Sequence, residues 1–284
     1  MQGVRVGNIE LAPLSDGVIE FQASRLFPRV TEKQWEPYRD VLTPGKDVRL
    51  VVGCFLLRSR GKTILVDSGV GPGPVAAFGG VKGRLPRELR AAGVGPDDID
   101  IVFITHLHSD HVGWNMAVRD GKRAPYFSRA QYWVSKTDWD HFHGPEFTRP
   151  KEYLAETTTP LLEQGRVTFV EGEKALTDEI TTLPAPGHTP GHTGLALLSG
   201  KERGLVLGDA LHVMPQLSET DWEEAGDTDP ALAVSTRKKL LERAAREKAV
   251  VAVSHFMSEN IGRVSKSARG YAWMPLEAGP RKRP

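Results

Sequence analysis

Apolar positions in this chain gather in short blocks of strand length separated by turn-forming residues, a pattern that predicts sheets rather than long helices. Ten such blocks stand out: VRVGNIEL (4–11), VRLVVGCFLLRS (48–59), KTILVDSG (62–69), IDIVFITH (99–106), QYWVS (131–135), GRVTFV (165–170), EITTLPA (179–185), HTGLALL (192–198), RGLVLGD (203–209) and KAVVAVSH (248–255). Several are rich in Val, Ile, Leu and Phe throughout, as expected of strands covered on both faces. SRGKT (59–63) reads as the turn of a hairpin between the second and third blocks. The Gly- and Pro-rich stretch from Val70 to Gly83 reads as a loop.

Helical periodicity appears between the blocks. Thr31 to Asp40 opens with a Thr-Glu start signal, and GRLPRELRAAGV ends in Gly before Pro96. Pro230 to Lys248 is the clearest helix, with Pro in its first turn and Leu232, Leu240, Leu241 and Ala244 spaced for one apolar face. Strands cluster with helices interspersed instead of alternating strictly. The expectation is therefore an α/β chain of stacked sheets with helices packed outside, built as a single domain over residues 1–284.

Composition narrows the class. With 37 basic and 36 acidic residues the formal charge is +1, so no nucleic-acid partner is expected, and the basic C-terminal GPRKRP reads as a solvated tail. No leader pattern and no run approaching the ~18 apolar residues of a membrane span is present, so the expectation is a cytoplasmic protein with no membrane partner. Cys54 is the one cysteine and sits inside VVGCFLL, which reads as a buried structural thiol and excludes both an internal disulfide and a cysteine-rich metal site. The apolar LAPLSDGVIEFQ (11–22) is a candidate contributor to a homodimer.

Chemistry concentrates in FITHLHSDHVGWN (103–115), which follows one of the apolar blocks. His106 and His108, two apart on an extended backbone, point to one side and can share an ion. Asp110 and His111 follow where the chain turns, so their directions diverge and a second ion becomes geometrically natural. His188, in a loop fixed by Gly and Pro, and Asp209 and His255, each ending an apolar strand, are positioned to converge at one rim.

The HxHxDH motif at His106, His108, Asp110 and His111, with VDSG, GHTPGH, GD and the late His255, resembles the metallo-β-lactamase superfamily from about Ile64 to His255. That resemblance implies an αββα sandwich, two mixed β-sheets flanked by helices, with a dinuclear metal site between the sheet edges. It implies His106, His108 and His188 as ligands of one ion, Asp110, His111 and His255 as ligands of the other, and Asp209 as the bridge. Asp67 matches an aspartate that supports the site by hydrogen bonding, the alternative being a turn former at a strand end. His192 matches a histidine of the same loop that is not a ligand.

Imidazole and carboxylate donors without thiolate suit two divalent ions, zinc first, with manganese, iron or cobalt as alternatives. Two such ions ~3.5–4 Å apart can hold a hydroxide between them and polarise a carbonyl or phosphoryl oxygen, so hydrolysis needs no Ser or Cys nucleophile. Asp110 is the candidate carrier of the proton to the leaving group.

Within the superfamily the chain resembles most the branch of methyl parathion hydrolase and N-acyl homoserine lactone lactonase, through GDALHVMPQL, SHF, IGRV and GYAWMPL. The expected activity is hydrolysis of a small-molecule lactone or related ester; the runner-up is an organophosphate or aryl ester hydrolase. His212 stands where many lactonases of this branch have a tyrosine that assists the substrate carbonyl. Its candidate roles are substrate orientation or proton transfer, against hydrogen-bond support of the site.

Other classes fit less well. Thioesterases of the glyoxalase II type carry a further helical domain, flavodiiron proteins have HxExD and a flavin domain, and tRNA-maturing nucleases need a basic gripping element. Trp35, Trp114, Trp139, Phe142 and Met214 are candidates to line a pocket, with ordinary core as the alternative for each; His141 and His143 read as surface or pocket rim.

Overall fold

The computed structural model describes residues 3–119, 121–145, 152–257 and 259–276; the basic C-terminal segment lies outside the described residues. In its first half the chain runs β1 (Val4–Val6), β2 (Ile9–Gln22), α1 (Ala23–Leu26), α2 (Glu32–Trp35), β3 (Asp47–Ser59), β4 (Lys62–Val66), α3 (Leu85–Ala91), β5 (Ile101–Phe103), β6 (Met116–Arg119), β7 (Lys122–Pro125) and β8 (Gln131–Ser135). Next come α4 (Lys136–His143), α5 (Glu152–Thr157), α6 (Thr159–Glu163), β9 (Val167–Val170), β10 (Ala175–Thr177), β11 (Ile180–Pro184), β12 (Thr193–Ser199), β13 (Glu202–Val206), α7 (Pro230–Glu247), β14 (Val250–Ala252), β15 (Ile261–Ser267) and β16 (Gly270–Pro275).

These strands form two seven-stranded sheets, ordered β1-β2-β3-β4-β5-β8-β9 and β10-β11-β12-β13-β14-β15-β16, while β6 and β7 pair alone. Both sheets are mixed. In the first, β4, β5, β8 and β9 run parallel; in the second, β13 and β14 do.

Alternation along β3 shows how the layers close. Phe55 and Leu57 face β12 and β13 across the sandwich, packing with Leu195, Leu197 and Val206, whereas Cys54 and Leu56 face outward under Leu85, Leu89, Trp139 and Phe142. On the far side of the second sheet, Leu240, Leu241 and Ala244 of α7 cover Leu205, Val251 and Val253. The order is helix, sheet, sheet, helix, the αββα arrangement expected. Each fully buried Phe, Leu or Val stabilises it by roughly 1.5–3 kcal/mol.

Several expectations need correction. VRVGNIEL is two strands, because Gly7 takes φ +59° and turns β1 back on β2. Thr31 to Asp40 divides into α2 and a 3-10 turn over Glu36–Val41, where Pro37 lacks the amide a continuous helix needs. The buried face of α7 is Ala233, Thr236, Arg237, Leu240, Leu241 and Ala244; Leu232 lies one position off it and is 38% exposed.

Two features of this frame aim at the rim. A bulge in β2 between Ser15 and Gly17 turns Asp16 inward, where its carboxylate accepts the amides of Val70, Gly71 and Leu85 and the indole N–H of Trp114. That pins the glycine-rich loop beside the site. β4, β5, β13 and β14 all end at the same rim, so the residues that follow them, Asp67, His106, Asp209 and His255, are delivered together.

Candidate metal centre

Five imidazole nitrogens surround one oxygen of Asp209. From Asp209 Oδ2 the Nε2 atoms of His255, His212, His111, His188 and His106 lie at 2.9, 3.3, 3.4, 3.5 and 3.7 Å. His108 joins through Nδ1, 3.0 Å from Nε2 of both His106 and His188, and Asp110 Oδ2 lies 3.6 Å from His111 Nε2 and 3.7 Å from His255 Nε2. His106, His111, His188, Asp209, His212 and His255 are buried, whereas His108 and Asp110 are half-buried, the Asp110 side chain being 13% exposed.

The surroundings fix which nitrogen of each ring carries hydrogen. The Val51 carbonyl can only accept, so His255 Nδ1 donates to it at 2.9 Å and Nε2 keeps its lone pair. Asp227 does the same for His188 at 2.9 Å, and Asp67 for His111 at 2.9 Å. Thr105 donates its hydroxyl to Asp67 and accepts from His106 Nδ1, which extends the control to a fourth ring. Lone pairs therefore converge on the centre, as metal ligation requires.

Close backbone approaches hold these groups in place. A Cβ on Gly53 would lie 2.2 Å from the Ser254 carbonyl, so only glycine lets β3 reach the His255 segment. Gly208, at φ +53°, leaves room for His192, whose Nδ1 donates to Ala185 and whose Nε2 accepts the Asp209 amide. His192 thus orients the carboxylate without entering the cluster.

Charge is organised to match. Burial holds His106, His108 and His188 well below the ordinary histidine range, so they are neutral. At His111 burial opposes the charge, but Asp209, Asp110 and Asp67 outweigh it and push the pKa well up. Burial likewise opposes ionisation of Asp209, and His111, His255 and His106 overcome it, holding the carboxyl well below its usual range. A cation is favoured at the centre.

The residues fit a pair of divalent ions. His106, His108 and His188 form one group of donors within 4.8 Å of one another, Asp110, His111 and His255 another, and His106, His111 and Asp209 a third between them. His111 Nε2 and Asp209 Oδ1 are shut off from solvent without a protein partner, a costly state that a bound cation relieves. The donor set is imidazole and carboxylate with no thiolate.

The sequence profile of the Metallo-beta-lactamase superfamily matches residues 48–255. The chain belongs to that superfamily. It is 29% identical over 229 residues to an N-acyl homoserine lactonase of Bacillus thuringiensis, covering 75% of this chain and 84% of the relative. Among solved structures it resembles AidC, described as a dizinc quorum-quenching lactonase, at TM-score 0.82 and 27% identity over 97% of both chains. It also resembles the hydrolase AbOPH, at TM-score 0.84 and 25% identity over 98% of both. The chain is a metal-dependent hydrolase of the metallo-beta-lactamase superfamily.

In this superfamily member a cavity of about 450 Å³ opens onto the centre, bounded by His108, Asp110, His188, Asp209, His212 and His255. Its apolar wall is Ile19 and Phe21 of β2, Leu26 of α1, Leu50 of β3 and Phe78 of the glycine-rich loop. The expected aromatic lining is elsewhere. Trp35 packs with Phe27 and Trp222, Trp114 caps Asp16, and Trp139 and Phe142 face the core from α4. Met214 borders a neighbouring cavity that shares His212 and His255. His143 stacks on Trp139 and bonds Thr159, and neither it nor His141 lines either cavity.

Four carboxylates and one tyrosine near the centre escape a reading of the sequence, with Asp67 the exception. Asp227 holds His188, Glu224 lines the cavity beside His188 and His212, Asp16 holds the loop, and Asp138 ties the loop of His106 and His108 to that of His188. Tyr153 lines the cavity and donates to the Leu107 carbonyl at 2.6 Å. The first-turn position of Asp138 in α4, three residues after the Ser135 cap, is a local signal of a helix start, but none marks the others.

Proposed function

We propose that this hydrolase opens lactone rings, with N-acyl homoserine lactones or closely related esters as substrates. The observation that carries the reading is the convergence of His106, His108, His188, Asp110, His111 and His255 around Asp209, with four of the rings turned by their neighbours to present a lone pair. His106, His108 and His188 hold one divalent ion, Asp110, His111 and His255 the other, and Asp209 lies between them. Zinc suits this donor set best. When bound, the two ions would supply a nucleophile at neutral pH and polarise the ester carbonyl.

The chain supplies the rest. Asp110, the most open of the cluster carboxylates, faces the cavity and carries a proton to the leaving oxygen. His212 stacks on His255 at 5.3 Å between ring centres and borders the cavity, where it orients the substrate carbonyl. The apolar wall of Ile19, Phe21, Leu26, Leu50 and Phe78 excludes water from the other end of the substrate. Lactonase relatives covering three-quarters of the chain support the substrate class.

A second reading, hydrolysis of aryl esters or phosphotriesters, draws on His212, a residue that differs from the tyrosine of many lactonases. The two are separated by screening zinc-loaded protein against homoserine lactones of varied acyl length, simple γ- and δ-lactones, aryl esters and phosphotriesters. Preferred opening of lactones, abolished in Asp209→Ala, is expected. A preference for phosphotriesters or plain esters overturns the lactone reading.

A further inference from the structure

Asp138 is fully buried, and among the described residues no cation meets its carboxylate; the groups that do are hydrogen-bond donors. It sits in the first turn of α4, where Ser135 Oγ caps its amide. Its carboxylate reaches away from the helix. Oδ2 accepts the Leu107 amide at 3.2 Å and the Thr189 hydroxyl at 2.9 Å, and Oδ1 accepts the Gly191 amide at 2.6 Å.

Those donors belong to two separate loops. Leu107 lies between His106 and His108, and Thr189 follows His188. One carboxylate therefore sets the distance between the two loops that carry the proposed ligands of a single ion. The approach is tight: a Cβ on Gly191 would lie 2.4 Å from both the Asp138 amide nitrogen and Ser135 Oγ, so the loop is seated directly on the helix start. Asp67, by contrast, reaches both triads, holding His111 directly and His106 by way of Thr105.

We propose that Asp138 is a positioning residue that governs retention of the ion held by His106, His108 and His188 and leaves the ion of Asp110, His111 and His255 unaffected. The inference rests on the dinuclear reading above. Its physical basis is that ligand positions must hold to within a few tenths of an ångström. An asparagine at 138 cannot satisfy the site: with its oxygen turned toward Leu107 and Thr189, its NH2 meets the Gly191 N–H, donor against donor. The 188–191 loop must then move.

The test is titration of zinc into metal-free full-length protein in competition with a chromophoric chelator. The unsubstituted chain is expected to bind two ions. Asp138→Asn is expected to weaken one of them by roughly 10–100-fold. In a His106→Ala background, which retains the other ion alone, adding Asp138→Asn is expected to change nothing, whereas a general loosening of the fold would weaken that ion too. Thr189→Val, which removes one of the three donors and keeps the helix intact, is expected to shift the same ion in the same direction by less. Equal weakening of both ions, or no weakening of either, overturns the role of Asp138 while the metal reading stands. Failure of the unsubstituted chain to bind two ions overturns the dinuclear reading and this inference with it.

Discussion

Asp67 Oδ2 lies 2.9 Å from His111 Nδ1 and 2.8 Å from the Thr105 hydroxyl, which in turn accepts from His106 Nδ1. One buried carboxylate thus sets the tautomer of a histidine in each proposed triad. Asp67→Asn is expected to weaken zinc binding by roughly 10–100-fold, because its NH2 must face either the Thr105 amide or the pair of His111 and the Thr105 hydroxyl, donor against donor in both cases. Competition with a chelator measures this, and unchanged affinity would refute the role. Asparagine tolerates the left-handed backbone at this position, φ +59°, so the effect is separable from strain. Asp67→Ala adds strain and leaves the Thr105 amide without a partner, a further cost of roughly 2–4 kcal/mol in a denaturation experiment.

His212 is placed to act on substrate more than on metal. Its Nε2 lies 3.3 Å from Asp209, its ring stacks on His255, and its Nδ1 is buried without a partner between two cavities. Burial opposes its charge, but the bond to Asp209 and the nearby Glu224 and Asp227 push its pKa up to about 9. His212→Ala is expected to retain both ions and lose roughly 100-fold in kcat/KM. Loss of an ion, measured by elemental analysis, would instead make His212 a ligand, a role its grouping with Asp209 and His255 makes geometrically available.

How much of this was legible in the chain depends on the range of the signal. Strands β3, β4 and β5 announce themselves as Val-, Leu- and Ile-rich runs because both faces are covered, and the polar residues ending those runs mark the rim. Asp138 gave no such signal: its neighbours make it a helix-capping acid, and its work is done by residues 31 and 51–53 positions away. The cavity wall was missed for a related reason. Alternation along β2 sorts Ile19 and Phe21 from their neighbours, but what lies opposite them is decided by the loop that Asp16 pins. Arg237 reversed the ordinary expectation for α7, since a charged residue on an amphipathic helix is placed in solvent by its sequence pattern alone.

Burial raises the Asp138 carboxyl to about 6 despite its three hydrogen bonds. A folded-state pKa above the unfolded value means the native protein holds the proton more tightly, so stability falls as pH rises between the two values. The stability of the metal-free chain relative to Asp138→Asn is therefore expected to be greatest below about pH 4 and to fall by roughly 2–3 kcal/mol by pH 6 to 7. Denaturant unfolding of both proteins across that range gives the difference directly, with the other titrating groups cancelling. A flat difference, or one that rises with pH, contradicts the burial argument.

Arg237 is 1% exposed and spans three carbonyls, donating from Nε to Ala210 at 2.8 Å and from Nη1 to Thr220 at 2.9 Å and Trp222 at 2.8 Å. It ties α7 to the segment that carries Asp209, His212 and Asp227. A lysine has one compact ammonium where the guanidinium is a rigid fork, so Arg237→Lys leaves at least one of these buried carbonyls without a donor. The expected cost is roughly 2–4 kcal/mol, or about 5–10 °C in Tm for a chain of this size. Because the same segment holds Asp227 against His188, zinc affinity is expected to fall as well, and calorimetry with and without zinc separates the two effects. A larger Tm loss in the zinc-loaded protein than in the metal-free one indicates damage to the centre; equal losses confine the role of Arg237 to the fold.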